Sequence, residues 1–111
     1  EGVESDLAFV RKLLQSSFAG YERYSAMVSE SVTGWEKDRL FSTDMVLIVM
    51  GLAEAASFPT IPVKVTMNEY IDVAKYYSTP ASSTFINGVL DKIVTRGLEE
   101  GWIFKTGKGL L

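Results

Sequence analysis

Apolar residues recur at intervals of three and four along most of this chain, and that pattern divides it into helices. Ser5 or Asp6 can cap a first helix over about 6–18, with Phe9, Val10, Leu13, Leu14 and Phe18 expected inward. Gly20 marks an expected break. A second helix, about 21–32, places Tyr21, Tyr24, Val28 and Val32 on one face, and Thr33-Gly34 ends it. The connector WEKDRL, 35–40, is charged, with Trp35 and Leu40 expected to pin it to the core. The stretch 42–58 is apolar nearly all round, as a central, covered helix is. Its β-branched residues also permit a buried strand, and periodicity alone does not separate the two. Length, the Thr43-Asp44 start and the Ala-Glu-Ala-Ala end favour helix.

After the proline-rich break at 58–62, two further helical patterns follow. The first carries Val63, Met67, Tyr70, Ile71, Ala74 and Tyr77 on one stripe, with Pro62 suited to its first turn. The second opens at Thr79 as N-cap and Pro80, carries Phe85, Ile86, Val89, Leu90 and Ile93, and has Gly97 as a natural stop. The remaining 98–111 is glycine-rich and expected to be a partly disordered tail in which only Trp102, Ile103 and Phe104 could dock. No period-two alternation, repeat or hairpin dipeptide intervenes. One all-α domain of about five helices in an antiparallel bundle is the simplest architecture.

Composition narrows the chemistry. The chain has 111 residues, a formal net charge of −3, and neither Cys nor His. Disulfides, thiolate and imidazole metal sites and a histidine base are therefore excluded. The acidic balance argues against a free-standing nucleic-acid binder, which needs clustered Lys and Arg. No apolar run approaches the ~20 residues that span a bilayer, so a cytoplasmic protein is expected. Glu54, Glu69 and Asp72 could serve acid–base or cation chemistry. Nothing accompanies them as a partner, and solvated helix faces or local caps are the better reading, so no enzyme, cofactor or metal is expected.

The stretch 61–94 carries two motifs. Pro62, Lys64, Val65, Asn68, Glu69, Ala74 and Lys75 fit P-x-K-V-x-x-N-E-x-x-x-x-A-K, and 85–92 reads F-I-N-G-V-L-D-K. In this order and separation they resemble the signature of the NusB family of bacterial transcription antitermination factors. The resemblance is strong over about 42–92 and faint over 6–32. It implies an all-helical fold with two helical subdomains, of which this chain supplies the C-terminal one plus one or two preceding helices. The chain is then the C-terminal portion of a longer protein, without the family's arginine-rich first helices.

The resemblance further implies a non-catalytic factor that binds the ribosomal protein NusE and helps hold boxA-like RNA on the elongating RNA polymerase. No cofactor is implied, and a homodimer remains open. Glu54 corresponds to the family's Glu in A-x-Y-E-L, with Ala53 replacing the Tyr, and is expected to offer NusE an exposed carboxylate; an ordinary solvated Glu is the competing reading. Lys64, Asp91 and Lys92 mark the expected RNA edge, too few charges for much affinity alone. Tyr70, Tyr76 and Tyr77 could stack on bases, but core packing is favoured. Asn68, Glu69, Asn87 and Gly88 are expected to be structural, with Gly88 permitting close helix approach and Asn87 satisfying a neighbouring backbone. Two alternatives stand: an accessory RNA-binding domain of an rRNA cytosine methyltransferase, and a helical interaction or dimerisation domain that has lost RNA binding. The second rests on Met45 and Val49, which fall where many family members carry Arg.

Overall fold

A computed structural model describes residues 2–32, 42–77 and 80–111. Its order is α1 (Gly2–Ser31), α2 (Ser42–Ser57), α3 (Val63–Tyr77), α4 (Pro80–Glu100) and a short 3-10 helix (Gly107–Leu110). The described residues thus form an all-α fold of four α-helices and no strand, one fewer than the pattern suggested. The connector with Trp35 and Leu40, the Thr33-Gly34 stop, the Thr79 cap and the Tyr77 side chain lie outside the described residues.

The difference in count comes from Gly20. A glycine inside a helix costs only about 1 kcal/mol relative to Ala, so it does not oblige a break, and α1 runs through it. Side chains on a helix lean toward its N-terminus, and here the Tyr24 ring lies over Gly20 where a Cβ would overlap it. The ring also packs near Trp102, at 6.0 Å between centroids, with the Arg23 guanidinium over Trp102 at 5.1 Å.

α2 is the central element and touches each of the other three helices. Ile48, Leu52, Ala53 and Ala55 are fully buried, and Leu47 and Val49 nearly so. Around them pack Val28 from α1, Ala74 from α3 and Ile86, Leu90 and Ile93 from α4. Each of the Val, Leu and Ile side chains contributes roughly 1.5–3 kcal/mol by leaving water. Gly51 lets α2 and α4 close on one another, since a Cβ there would meet Leu90 at 3.1 Å and Tyr70 at 3.6 Å.

The helix ends are held by specific groups. Pro62 precedes α3 and its carbonyl accepts the first helical hydrogen bond, from Thr66 N–H at 3.2 Å. Lys92 Nζ donates to the Ser31 carbonyl at 3.1 Å, a cation at the negative end of α1. α4 passes through Gly97 and stops at Gly101, whose φ of +86° ends the helix in the left-handed region. Gly101 N–H and Ile103 N–H both donate to the Gly97 carbonyl. Gly97 is therefore a close-approach residue rather than the stop, because a Cβ would come within 2.6 Å of Ile103.

The tail is a strap, not a frayed end. Ile103, Lys105 and Gly109 are buried, Trp102 is half-buried and Phe104 is exposed. Lys105 Nζ donates to the carbonyls of Ala55 at 2.8 Å and Phe58 at 3.0 Å. Thr106 N–H donates to the Pro59 carbonyl at 3.0 Å. The tail thus satisfies one carbonyl that the C-terminus of α2 leaves open, that of Ala55, and ties down the chain just after the helix at Phe58 and Pro59, which composition alone could not show.

α1 departs from expectation in one further respect. Leu13, Tyr24, Val28 and Val32 face the core, but Val10, Leu14, Phe18 and Tyr21 are exposed. The helix is apolar on more than one side, and α2 takes the side bearing Leu13, Ser17 and Tyr24.

Candidate functional site

Glu54 sits in the last turn of α2 and is 1% exposed. The expectation of an exposed carboxylate is therefore corrected: a helix apolar all round and central to the fold has no solvent face on which to place it. The carboxylate instead accepts hydrogen bonds from two residues one turn apart on α3, Thr66 Oγ1 at 2.5 Å and Tyr70 OH at 3.5 Å. Burial, with Glu54 and Glu69 nearby, pushes the Tyr70 phenol well above its usual range, so it stays a donor. Burial lowers the Lys105 ammonium pKa, while the Glu54 charge opposes that shift. Glu54, Thr66, Tyr70 and Lys105 form one polar cluster joining α2, α3 and the strap, and sequence reasoning missed all of it except the Glu.

The other motif residues lie outward. Asn68 and Glu69 are exposed on α3, next to the buried Thr66 and Tyr70. Partial desolvation, and then the Glu54 charge, raise the Glu69 pKa. A carboxyl whose folded pKa is raised contributes stability that is present below its unfolded pKa and lost as pH rises through the folded value. Replacing it with Gln is expected to match the native protein's stability in acid and exceed it, by less than about 1 kcal/mol given the exposure, at neutral pH. Denaturant titrations of both proteins across pH 3 to 8, a range of about five units that spans the ordinary carboxylate pKa, measure that divergence.

On α4, Asn87, Gly88, Asp91 and Lys92 are exposed, and a Cβ on Gly88 would meet nothing within 4 Å. Gly88 therefore does not serve close helix packing, and Asn87 is not a core residue; both expectations are corrected. Gly88 and Lys92 instead line a shallow cleft of about 270 Å³ with Ser31, Val32, Thr84, Phe85 and Val89. Lys64 lines a different cleft, of about 260 Å³, against the strap, so no one cleft gathers Lys64 with Lys92. Tyr70 is core, Tyr76 is exposed, Val49 is core and Met45 is half-buried. Among the described residues, no helix is long and apolar enough to cross a membrane.

Both motifs sit on this frame, one on α3 and one on α4, and the family model described as the NusB family matches residues 3–95. The chain belongs to the NusB family. It is similar to the transcription antitermination protein NusB of Salinibacter ruber, 35% identical over 103 residues, which is 93% of this chain and 64% of that protein. It is also similar to the protein of the same name from Chloroherpeton thalassium, 32% identical over 103 residues, covering 93% of this chain and 49% of the relative. The chain thus spans 64% and 49% of the length of these two relatives. No solved structure matches it significantly. NusB membership accounts for the specificity of the paired motifs, and the family is one of non-catalytic transcription factors. The polar residues of both motifs are exposed, Asn68 and Glu69 on α3 and Asn87, Asp91 and Lys92 on α4.

Proposed function

We propose that this chain is the part of a NusB-type antitermination factor that docks the ribosomal protein NusE and contributes one edge to the hold on boxA-like RNA. The observation that carries this reading is the exposure of the motif's polar residues, Asn68 and Glu69 on α3 and Asn87, Gly88, Asp91 and Lys92 on α4. The motifs' apolar positions Ala74, Ile86, Val89 and Leu90 are buried as packing requires, whereas these polar ones are not. Gly88 argues the same way: inside a helix it costs about 1 kcal/mol relative to Ala, and no neighbouring helix needs the space.

In this reading Glu54 is a positioning residue. Its carboxylate lies too deep to touch a partner, but it fixes Thr66 and Tyr70 and so the register of the α3 face that carries Asn68 and Glu69. Glu69 supplies the negative charge toward a basic ribosomal protein, which favours association rate and register. Lys92 and Lys64 supply the few phosphate contacts, a weak electrostatic share on their own.

A calorimetric titration of this chain with its cognate NusE, followed by boxA-like RNA, tests the proposal. Saturable NusE binding is expected, weakened about tenfold by Glu69→Lys, an effect of the size that truncating or reversing a specific interface charge produces. Gly88→Ala is expected to raise the melting temperature, leave NusE binding intact and lower RNA affinity, because its methyl enters the open cleft. Absence of NusE binding both by this chain and by the full-length Salinibacter relative overturns the reading.

A further inference from the structure

The antitermination reading makes no use of the Lys105 amine. Lys105 lies on the strap and is 8% exposed, yet it lines a surface cleft of about 260 Å³ with Val63, Lys64, Leu98, Leu110 and Leu111. An ammonium carries three N–H donors. Two of them are taken here, by the Ala55 carbonyl at 2.8 Å and the Phe58 carbonyl at 3.0 Å. On losing a proton the amine can keep both bonds, so its lone pair takes the third tetrahedral position. We infer that Lys105 is a site of N-acylation by a small acyl phosphate entering this cleft, and that the modification unlatches the strap.

A lysine becomes nucleophilic when it is desolvated among apolar groups or set beside another cation. Both conditions hold in this cleft, where Val63, Leu98, Leu110 and Leu111 form apolar walls and Lys64 is the second cation. Burial lowers the Lys105 pKa, and this outweighs the opposing charge of Glu54, so more of the amine is neutral than in an exposed lysine. Lys64 is exposed and supplies positive charge that draws an anionic donor to the cleft. The step balances without a further reactant. The ammonium yields one proton to water, and the Nζ lone pair attacks the acyl carbon. The C–N bond forms as the bond from that carbon to the phosphate oxygen breaks. Phosphate leaves with the electron pair and takes up the second nitrogen proton. The resulting amide is neutral and has one N–H, so it cannot hold both carbonyls. It also removes the positive charge that faces the buried Glu54 carboxylate. Of the polar contacts between the strap and the end of α2 among the described residues, the Thr106 N–H to the Pro59 carbonyl is then left.

Acetyl phosphate is the probe. The native chain is treated with it at pH values from about 6 to 10, a range that approaches the ordinary lysine pKa, and each lysine is followed by peptide mass spectrometry. Lys105 is expected to be acetylated several times faster than Lys108, an exposed lysine on the same strap. Its rate is also expected to level off at a lower pH, because its amine loses the proton earlier. Lys64→Gln is expected to slow the reaction at Lys105 about threefold, less than the roughly tenfold or more that a whole charged cleft gives. The same variant should react with uncharged acetic anhydride at the native rate. Hydrogen exchange then reads the latch: peptides from 102–111 are expected to lose protection when Lys105 is acetylated. Lys105→Arg keeps a cation and is not acetylated there, so the same treatment should leave its strap protection unchanged. If that variant is itself loosened, acetylated and unmodified strap peptides from one partly reacted native sample, separated by mass, decide. Acetylation of Lys105 no faster than of Lys108 overturns the assignment of the site. Equal protection of acetylated and unmodified strap peptides overturns the unlatching.

Discussion

Glu54→Lys is expected to unfold the chain or leave it aggregated, and not merely to weaken a partner contact. Glu54 is 1% exposed, so the substitution places an ammonium among Thr66, Tyr70 and Lys105. It removes the acceptor for two hydroxyl donors and adds a second cation beside one whose charge is already penalised by burial. Breaking a buried charge arrangement by removing one partner costs about 3–5 kcal/mol, against a total stability for a domain of about 5–15 kcal/mol. Glu54→Gln is the graded control. It keeps the shape and one acceptor oxygen, and should cost about 1–3 kcal/mol, the usual penalty for leaving one buried polar group badly paired. Urea midpoints of the native protein, Glu54→Gln and Thr66→Val, read with circular dichroism of Glu54→Lys, measure the series. A Glu54→Lys protein with a native midpoint would mean that the carboxylate is on the surface after all, and the assignment of the polar cluster would fall.

That cluster shows where sequence reading reaches and where it stops. The periodicity of 42–57 and 63–77, together with Pro62 and Pro80, makes α2, α3 and α4 legible, because local pattern and tertiary burial agree there. The two motifs make the family legible without any knowledge of packing. What local pattern cannot carry is a partner far along the chain: Thr66, Tyr70 and the Lys105 contact lie 12, 16 and 50 residues from their partners on α2. One signal did point to the burial of Glu54. A carboxylate in the last turn of a helix with no polar face has nowhere exposed to go, whereas the family resemblance implies a partner-facing Glu. Gly20, Gly88 and Gly97 teach a related lesson. A glycine says that something is close or that the backbone turns, but the sequence does not say which. Here they make room for the Tyr24 ring, open a cleft and admit Ile103, in that order. On α1, apolar residues ring too much of the helix for the pattern to choose the core face, so Val10, Leu14 and Phe18 were expected inward and lie outward.

Lys105→Met is expected to release the strap and destabilise the domain by about 2–4 kcal/mol, the sum of two lost charge-assisted hydrogen bonds less the recovered cost of burying a charge. The ammonium donates to the Ala55 carbonyl, an open acceptor in the last turn of α2, and to the Phe58 carbonyl just beyond the helix, and its charge faces Glu54. Because both residues belong to one cluster, the loss should be less than additive with Glu54→Gln, by about 0.5–3 kcal/mol in a double-mutant cycle. Gly109→Ala probes the same strap without touching a charge. A Cβ there would overlap the Pro59 carbonyl, a backbone atom that cannot rotate away. That variant should expose the tail to protease while leaving the α1–α4 core folded, since Gly109 lies beyond Ile103, the last fully buried core residue. Limited proteolysis and urea midpoints together separate the two outcomes. A tail that becomes cleavable in both variants, with a lowered midpoint only for Lys105→Met, places the energy of the strap in the ammonium and not in the 3-10 helix. An unchanged midpoint for Lys105→Met would mean that the carbonyls of Ala55 and Phe58 are satisfied equally well by water, and that the strap merely lies on a core complete without it.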